Sequence, residues 1–351
     1  MLNMRITRAP LSEAENSVIL SEYNRLTGGR IPLDEFVRWV TKSPEGPAWH
    51  AILQTDEGRI VGHTSVFPLR AGRSPSRIIP GKSEYSFLHE DFRKEKIRGY
   101  ESAGRPAFII LLDQLFQHCH ERGWSPIFAS TNEKNQVFTR KVGLRPLEFS
   151  LWECLLVLKP IGAAKRTPNL GQAQRAALFS AGLLHRAVWP SMARVLALSN
   201  GTKSVPVPAN GIEPSEKPLS FFEDPVSLEW RYIDGQYLRI GLASSTLDYA
   251  IAKRGSSDRF LRVCQWRLGS QKSLYRVLPF LVREAVRDGA LGVRWAVYEQ
   301  DQSAHRLVAG MKRLGLLCAR RTRIVMVHKN NEKYLDGALW GMNDSLWSFD
   351  P

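Results

Sequence analysis

The sequence has no long apolar run and no apolar N-terminal segment. No stretch of about 18 apolar residues occurs, so no membrane-spanning helix is predicted. The N-terminus, MLNMRITRAP, has no apolar core of the kind that signal peptides carry. We therefore expect a cytoplasmic protein.

Cysteine is scarce as well. The four cysteines show no CxxC pair and no metal-ligand spacing; they are Cys119, Cys154, Cys264 and Cys318. The sequence therefore predicts no metal site, and we interpret the four side chains as reduced thiols of a cytoplasmic protein.

Acidic residues are fewer than basic ones, 34 against 49, and the formal net charge is +15. This excess favours an anionic partner, which is a nucleotide cofactor, an acidic carrier protein, nucleic acid or an anionic membrane. No helix-turn-helix, RNP or zinc-finger pattern is present, so nucleic-acid binding is indicated by charge alone.

The length of 351 residues predicts two domains. In the first part, hydrophobic periodicity and capping residues predict the order β-α-α-β-β-β-α-β-α-β, which is not a βαβ repetition. The predicted strands are 4–8, 48–55, 59–69, 82–89, 125–131 and 147–159, and the predicted helices are 11–29, 32–40, 106–122 and 135–142.

The same order recurs after Pro218, and in both parts a helix, a Gly-Leu pair and a strand come last. We therefore predict a tandem repeat of one fold: a first domain over 1–160, a basic helical linker over 161–218 and a second domain over 219–351.

The linker contains a predicted helix over 173–199, with Trp189 and Pro190 within it. Two interpretations remain open. The helix packs between the two domains, or it lies as a basic amphipathic helix on an anionic membrane surface, which would make the protein peripheral at the inner membrane.

Asn132 is followed eleven residues later by Gly143-Leu144. Together with the element order over residues 1–159, this spacing resembles the GNAT superfamily of acyl-CoA-dependent N-acyltransferases, in a tandem arrangement. The resemblance implies a mixed, predominantly antiparallel sheet flanked by helices. It also implies acetyl-CoA or another acyl-CoA, or an acyl carrier protein, as donor, and a small amine or cell-surface precursor as acceptor, bound between the two copies.

The catalytic candidates lie on and just after the strand 82–89. Members of the family often place a carboxylate where Glu84 stands, and a glutamate inside a strand is disfavoured without a reason. Glu84 is either a general base or a solvated edge residue. Strand alternation predicts Glu84 and Ser86 on one face, with Tyr85 and Phe87 on the other. His89 is a second candidate base.

The family's phosphate loop precedes its long central helix. In the segment HEDFRKEKIRGYESAGRPAF (89–108), the helix start at Pro106 aligns Gly104-Arg105-Pro106 with the family's Gly-x-Gly, and 93–100 becomes an insertion. Pro106 has no N–H to offer, and the loop can also be read as a solvated basic loop. The donor-binding residues predicted from the resemblance are Phe87, Leu88, Arg93, Gly99, Gly104, Arg105 and Asn132.

Two departures weaken the match to a working enzyme. The family's usual tyrosine acid is replaced by Thr139, whose hydroxyl is far less acidic. The second copy is degenerate, with Ala304 and Met311 at the corresponding places. A catalytically silent acyl-CoA-binding or scaffold protein is therefore the alternative to an N-acyltransferase.

Overall fold

The computed structural model of the protein describes residues 1–28, 31–71, 78–130, 139–166, 171–199, 219–221, 224–232, 235–242, 245–255, 259–301 and 303–342.

The first copy, residues 1–159, follows the predicted order closely. Helix α1 begins after Ser12, which forms a capping box with Glu15, and ends at Gly28 with a φ of 72°. The elements are β1 (Asn3–Arg8), α1 (Glu13–Thr27), α2 (Leu33–Thr41), β2 (Trp49–Gln54), β3 (Ile60–Pro68), β4 (Gly81–Leu88), α3 (Ala107–Glu121), β5 (Ile127–Ser130) and β6 (Leu144–Val157).

Two helices in the described residues connect the copies. In its own described residues, the second copy, 219–329, repeats the order from α2 onward. The elements are α4 (Pro160–Arg166), α5 (Gln172–Ser199), β7 (Leu219–Ser220), α6 (Pro225–Arg231), β8 (Tyr237–Leu242), β9 (Ser245–Lys253), β10 (Leu261–Arg267), α7 (Gln271–Arg287), β11 (Gly292–Tyr298), α8 (Ala304–Arg313) and β12 (Leu317–His328), followed by β13 (Trp340–Gly341). The predicted mixed fold, mainly antiparallel and flanked by helices, is confirmed, and the second part of the chain repeats the element order of the first from α2 onward.

The two copies share one sheet of 11 strands, in the order β1-β2-β3-β4-β5-β12-β6-β11-β10-β9-β8. Strand β12 of the second copy lies between β5 and β6 of the first, and β6 in turn lies between β12 and β11. Each copy therefore completes its sheet with the last strand of the other. The β6–β12 ladder runs from the pair Leu144–His328 to the pair Leu155–Leu317.

Contacts beyond the sheet reinforce this exchange. After β12, Asn331 accepts a hydrogen bond from the backbone N–H of Ile127 at 3.0 Å and donates to Ser125 at 2.7 Å. His120 on α3 meets His328 on β12 at 3.0 Å. The C-terminal residues of the second copy therefore hold the start of β5 in the first.

Helix α5 packs against both copies. His185 is buried; its Nδ1 accepts from the backbone N–H of Val157 on β6, and its Nε2 donates to the carbonyl of Gly315 in the second copy. Trp189 is buried in the core of the second copy. Leu184 and other apolar side chains of the outer face are exposed. Across the described residues, no helix combines the length and the apolar character needed to cross a bilayer.

The prediction of four reduced thiols is wrong for one pair. Cys154 and Cys318 form a disulfide across the β6–β12 ladder, where they are direct partners. They lie 164 positions apart in sequence, so only the strand exchange brings them together and no local spacing reveals the pairing. Cys119 and Cys264 are buried and take no part in a disulfide.

Candidate functional site

Strands β4 and β5 diverge soon after they meet. Their parallel ladder consists of Gly81–Ile127 and Lys82–Phe128. At the far end of β4, the N–H of His89 donates to Val61 on β3. Because backbone groups alternate between the two edges of a strand, those of Leu88 and Ser86 point away from β3, toward the open edge. Among the described residues, no strand pairs with β4 on this side at 86–88, so the edge is open there.

A bulge in β4 coincides with this opening. Ser65 on β3 pairs with Glu84, but His63, two residues away, pairs with Phe87, so β4 holds one extra residue. Tyr85 has a φ of 53°, a left-handed conformation that is unusual for a residue with a side chain.

The bulge overturns the predicted alternation. Since paired residues lie on one face, Glu84 and Phe87 share a face, and the Tyr85 ring packs on that side against Phe67, with a centroid distance of 5.6 Å. Ser86 lies on the other face, where its hydroxyl meets that of Thr64 at 2.7 Å. The extra residue shifts the period by one, which is why simple alternation failed.

Two buried histidines hold the bulge. The Nδ1 of His63 lies 2.8 Å from the Tyr85 carbonyl, and its Nε2 lies 2.9 Å from Nδ1 of His50. Only an N–H can face a carbonyl, so His63 donates through Nδ1 and accepts from His50 through Nε2. Burial lowers the pKa of His63 to about 4 and that of His50 well below its usual value. Both rings are therefore neutral near pH 7.

Glu84 is buried, with 8% of its surface exposed. Its carboxylate forms an ion pair with Lys82 and lies 3.5 Å from the hydroxyl of Ser130 on β5. The side chain thus reaches across the gap between the diverging strands. The alternative interpretation, in which Glu84 is a solvated residue at a sheet edge, does not fit this buried position.

His89 stands apart from this cluster. Its Nδ1 lies 3.2 Å from the carboxylate of Asp91, and its ring lies 5.9 Å from that of Phe92. These are contacts of the strand end and of the turn that follows it. The structure therefore separates the two predicted catalytic candidates.

The loop before α3 is exposed and carries charges of both signs. Arg105 pairs with Asp113 at 2.9 Å, and the N–H of Gly99 donates to Glu101 at 2.9 Å. Arg93 is exposed. Gly104 adopts a φ of 60°, which accounts for glycine there.

Helix α3 begins at Ala107 with Pro106 as its N-cap, one residue after the predicted start. Pro106 makes no side-chain capping hydrogen bond. The first N–H groups of α3 thus lack the usual Ser, Thr, Asp or Asn partner and form the positive end of the helix dipole.

Two predicted features lie elsewhere. Asn132 falls outside the described residues. Thr139 belongs to a helical turn at 139–141 that ends before Gly143, whose φ is 85°. The helix-Gly-Leu-strand pattern is therefore present at residues 139–144.

The second copy has the same arrangement of strands and helices, but different side chains occupy the places that correspond to the site. Strand β10 also carries a bulge, between Val263 and Gln265. Beyond it, the indole N–H of Trp266 donates to the carbonyl of Ala296 on β11 at 3.2 Å. Trp266 thus bridges β10 and β11 past the last pair of their ladder, Val263–Trp295.

The helix that follows β10 is capped. The side chain of Ser270 accepts from the N–H of Ser273, and Asp248 accepts from the N–H of Gly269 and the hydroxyl of Ser273, both at 2.6 Å. The N-terminal donors of α7 therefore face a hydroxyl and a carboxylate from the chain itself.

Sequence analysis missed the groups that shape the site. His63 was not connected to His50 or to the bulge, and Tyr85 drew attention only as a neighbour of Glu84. A sequence signal existed: His50 and His63 are polar residues at the centres of two predicted apolar strands. Their pairing depends on the β2–β3 register, which the sequence does not specify.

The protein has the fold of GNAT N-acetyltransferases, as predicted. A conserved protein of unknown function from Enterococcus faecalis V583, described as a probable N-acyltransferase, superimposes with a TM-score of 0.52 at 7% identity, over 92% of this chain and 71% of that one. A GCN5-related N-acetyltransferase from Anabaena variabilis ATCC 29413 gives 0.50 at 13% identity, over 92% and 72%. A tandem GNAT protein from the clavulanic acid biosynthesis pathway gives 0.47 at 10% identity, over 92% and 98%. No protein-family model and no curated protein sequence matches the chain.

Proposed function

We propose that the protein is an N-acyltransferase that moves an acyl group from acyl-CoA to the amine of a small molecule, with the donor bound by the first copy. One observation carries this proposal: in the described residues, β4 has an open edge at 86–88 where β5 has diverged, and the helix that follows, α3, begins without a side-chain cap. The fold of the structural neighbours is consistent with it.

The two features match the two parts of a CoA thioester. The pantetheine arm contains amides, and the free backbone groups of Ser86 and Leu88 can pair with them as one more strand would. The pyrophosphate fits a helix N-terminus, where the N–H groups of Ala107 and Phe108 are available and the helix dipole favours an anion. Pro106 removes one donor from this cradle, so we expect modest affinity.

Glu84 is the proposed general base. The amine attacks the thioester carbonyl, and the carboxylate takes the proton that the nitrogen must lose. Its place on the β4 bulge, near Ser130, puts it at the point where the strands part. Thr139 is not the acid that protonates the leaving thiolate, and we propose that water does so.

The two copies divide the work in this proposal. The second copy supplies β12 and covers the acceptor side through its first residues. Asp224 forms an ion pair with Arg70 at 3.2 Å, and the carbonyl of Glu229 accepts from Arg38 at 2.5 Å. We propose that the acceptor binds between these residues and β4.

A silent acyl-CoA-binding protein is the second candidate. The observation that favours it is the Lys82–Glu84 ion pair, because a buried carboxylate can serve structure alone. An acidic acyl carrier protein is an alternative donor, in keeping with the charge of +15.

Calorimetry with CoA and acetyl-CoA, followed by a thiol-release assay with a panel of amines, tests the proposal. Binding plus amine-dependent thiol release supports the enzyme, whereas binding without turnover favours the silent protein. Absence of binding for CoA, acetyl-CoA and longer acyl-CoAs would exclude both candidates.

A further inference from the structure

Two buried polar atoms, one on β4 and one on α2, have no hydrogen-bond partner among the described residues. They are the hydroxyl oxygen of Tyr85 and the Oε1 of Glu35 on α2. Tyr85 is 1% exposed and Glu35 is 6% exposed. Because an unsatisfied buried polar atom is costly, such atoms call for an explanation, and a bound group is one.

The two atoms belong to one cluster. Glu35 precedes Phe36, whose ring meets the Tyr85 ring edge-on with a centroid distance of 4.9 Å. The Tyr85 phenol is within electrostatic reach of Glu35, of Glu84 and of Arg231. The Tyr85 phenol is therefore near enough to both carboxylates to feel their charge.

The second copy forms the far wall of this cluster. Arg231, fully buried, lies against Trp39 of α2 with its guanidinium carbon 5.2 Å from the ring centroid, and against Tyr232 at 5.8 Å. Arg231 and Lys253 both act on Glu35 and oppose the rise in the pKa of its carboxyl that burial causes. Burial prevails, and the pKa of the Glu35 carboxyl stays above its usual value despite these two basic neighbours.

We propose that Tyr85 and Glu35 form an acceptor subsite that binds a hydroxyl group of the amine substrate. A hydroxyl can accept from the Tyr85 O–H and donate to Glu35 Oε1 at the same time, which satisfies both atoms. The substrate class that follows is a small hydroxylated amine, an amino sugar or an amino alcohol. This inference rests on the proposed acyl transfer, since it places the amine at Glu84.

The chemistry discriminates against plain alkyl amines. Burial raises the pKa of Tyr85 well above its usual value, so the phenol remains a neutral donor. An alkyl amine bound there would leave the Tyr85 hydroxyl and Glu35 Oε1 unpaired. A site built around hydrogen bonds rejects an analogue that lacks them more strongly than an apolar pocket rejects an added hydroxyl.

The test compares glucosamine with cyclohexylamine, a six-membered ring amine without hydroxyls, in wild type and in Tyr85→Phe. Binding is measured by calorimetry in the presence of CoA, and KM and kcat by thiol release from acetyl-CoA. We expect wild type to prefer glucosamine, and Tyr85→Phe to weaken glucosamine binding and raise its KM about tenfold, the scale of one lost hydrogen bond in a buried site. Cyclohexylamine should be unaffected.

A matched variant separates this effect from folding. The hydroxyl of Tyr232 is satisfied, because it donates to Gln265 at 2.6 Å. Tyr232→Phe should lower Tm and leave the preference between the amines unchanged. Tyr85→Phe should leave Tm unchanged or raise it, since the removed hydroxyl has no hydrogen-bond partner in the part of the chain that the structure describes.

The experiment distinguishes failure of the proposed acyl transfer from failure of the subsite alone. Absence of CoA binding and of thiol release with every amine would refute acyl transfer and, with it, the subsite. Transfer or binding that treats the two amines alike in wild type, or a glucosamine preference that Tyr85→Phe does not reduce, overturns the subsite alone. In that case a buried water occupies the cluster.

Discussion

The two copies share a topology and differ at the places where a donor would bind. In the first copy, β4 and β5 part after two residue pairs and α3 begins without a side-chain cap. In the second copy, Trp266 spans the corresponding strands and Ser270 caps α7. The comparison shows that the frame of the fold is compatible with a site but does not by itself provide one.

The presence or absence of a helix cap changes the stability of the two copies. A capping side chain stabilises a helix by about 1 kcal/mol, and the second copy has this stabilisation at Ser270. The first copy lacks this cap at Pro106. Strand β10, with the sequence LRVCQWR, also carries no carboxylate that could replace Glu84.

The largest expected effect comes from removing the second copy. A chain ending at residue 218 lacks β12, so β5 and β6 of the first copy lose the strand between them. We expect no cooperative thermal transition in circular dichroism for this fragment. Co-production with residues 219–351 should restore it, and a sharp transition of the isolated fragment would show that the exchange is dispensable.

The next effect concerns Glu84. Glu84→Gln should reduce kcat by about 10²-fold or more, the scale for a lost general base, with a smaller loss at high pH, where more of the amine is already deprotonated. Thr139→Val should stay within a few-fold of wild type.

The control for Glu84 is Lys82→Met, which breaks the same ion pair but keeps the carboxylate. Breaking a buried pair costs on the order of 3–5 kcal/mol, so both variants should have a lower Tm. Equal loss of kcat in the two would mean that the pair matters for structure rather than for proton transfer.

The histidine pair sharpens the comparison, because β8, β9 and β10 contain no histidine. The pKa of His63 is about 4 in the folded protein, whereas the ordinary value of a histidine, expected in the unfolded chain, is 6.5. Between these two pH values the unfolded chain therefore binds more protons than the folded protein. Stability should be complete above pH 6.5 and fall toward pH 4, by on the order of 3 kcal/mol for this group.

Denaturant unfolding across this pH range measures the effect. His63→Asn should reduce the fall in unfolding free energy between pH 6.5 and pH 4, whereas replacing the exposed His305 by Gln should leave that fall unchanged. An unaltered fall in His63→Asn would show that the pair does not govern acid stability.

The smallest effect concerns the loop before α3. Arg105→Glu puts a negative charge near the N-terminus of α3 and should weaken CoA binding several-fold, less so at high salt. Lys272→Glu, at the start of α7, is the matched change in the second copy and should leave the affinity unchanged. Equal effects of the two in calorimetry would indicate long-range charge alone.

Much of the fold was predictable because local signals agreed with it. Ser12 and Gly28 marked the ends of α1, and α3 began within one residue of the predicted position. The repeated helix-Gly-Leu-strand pattern predicted two copies. The exchange of β6 and β12 was not predictable. Each copy could keep its own last strand or take that of the other copy, and the same strands serve both arrangements, so only the tertiary structure chooses between them.

The site was less accessible to sequence reasoning. Glu84 lies in a strand, as predicted, but one extra residue at Tyr85 moved it to the other face from Ser86. A bulge leaves no sequence mark when the residue with positive φ is not glycine. The Cys154–Cys318 disulfide was missed for the same reason as the exchange.

Hydrogen exchange with and without saturating CoA tests the central claim, that the first copy alone binds the donor. Peptides covering 83–107 and 262–275 report on the two corresponding regions. The account predicts slower exchange on CoA addition in 83–107 and no change in 262–275. Protection of 262–275, or of neither region at saturation, would contradict it.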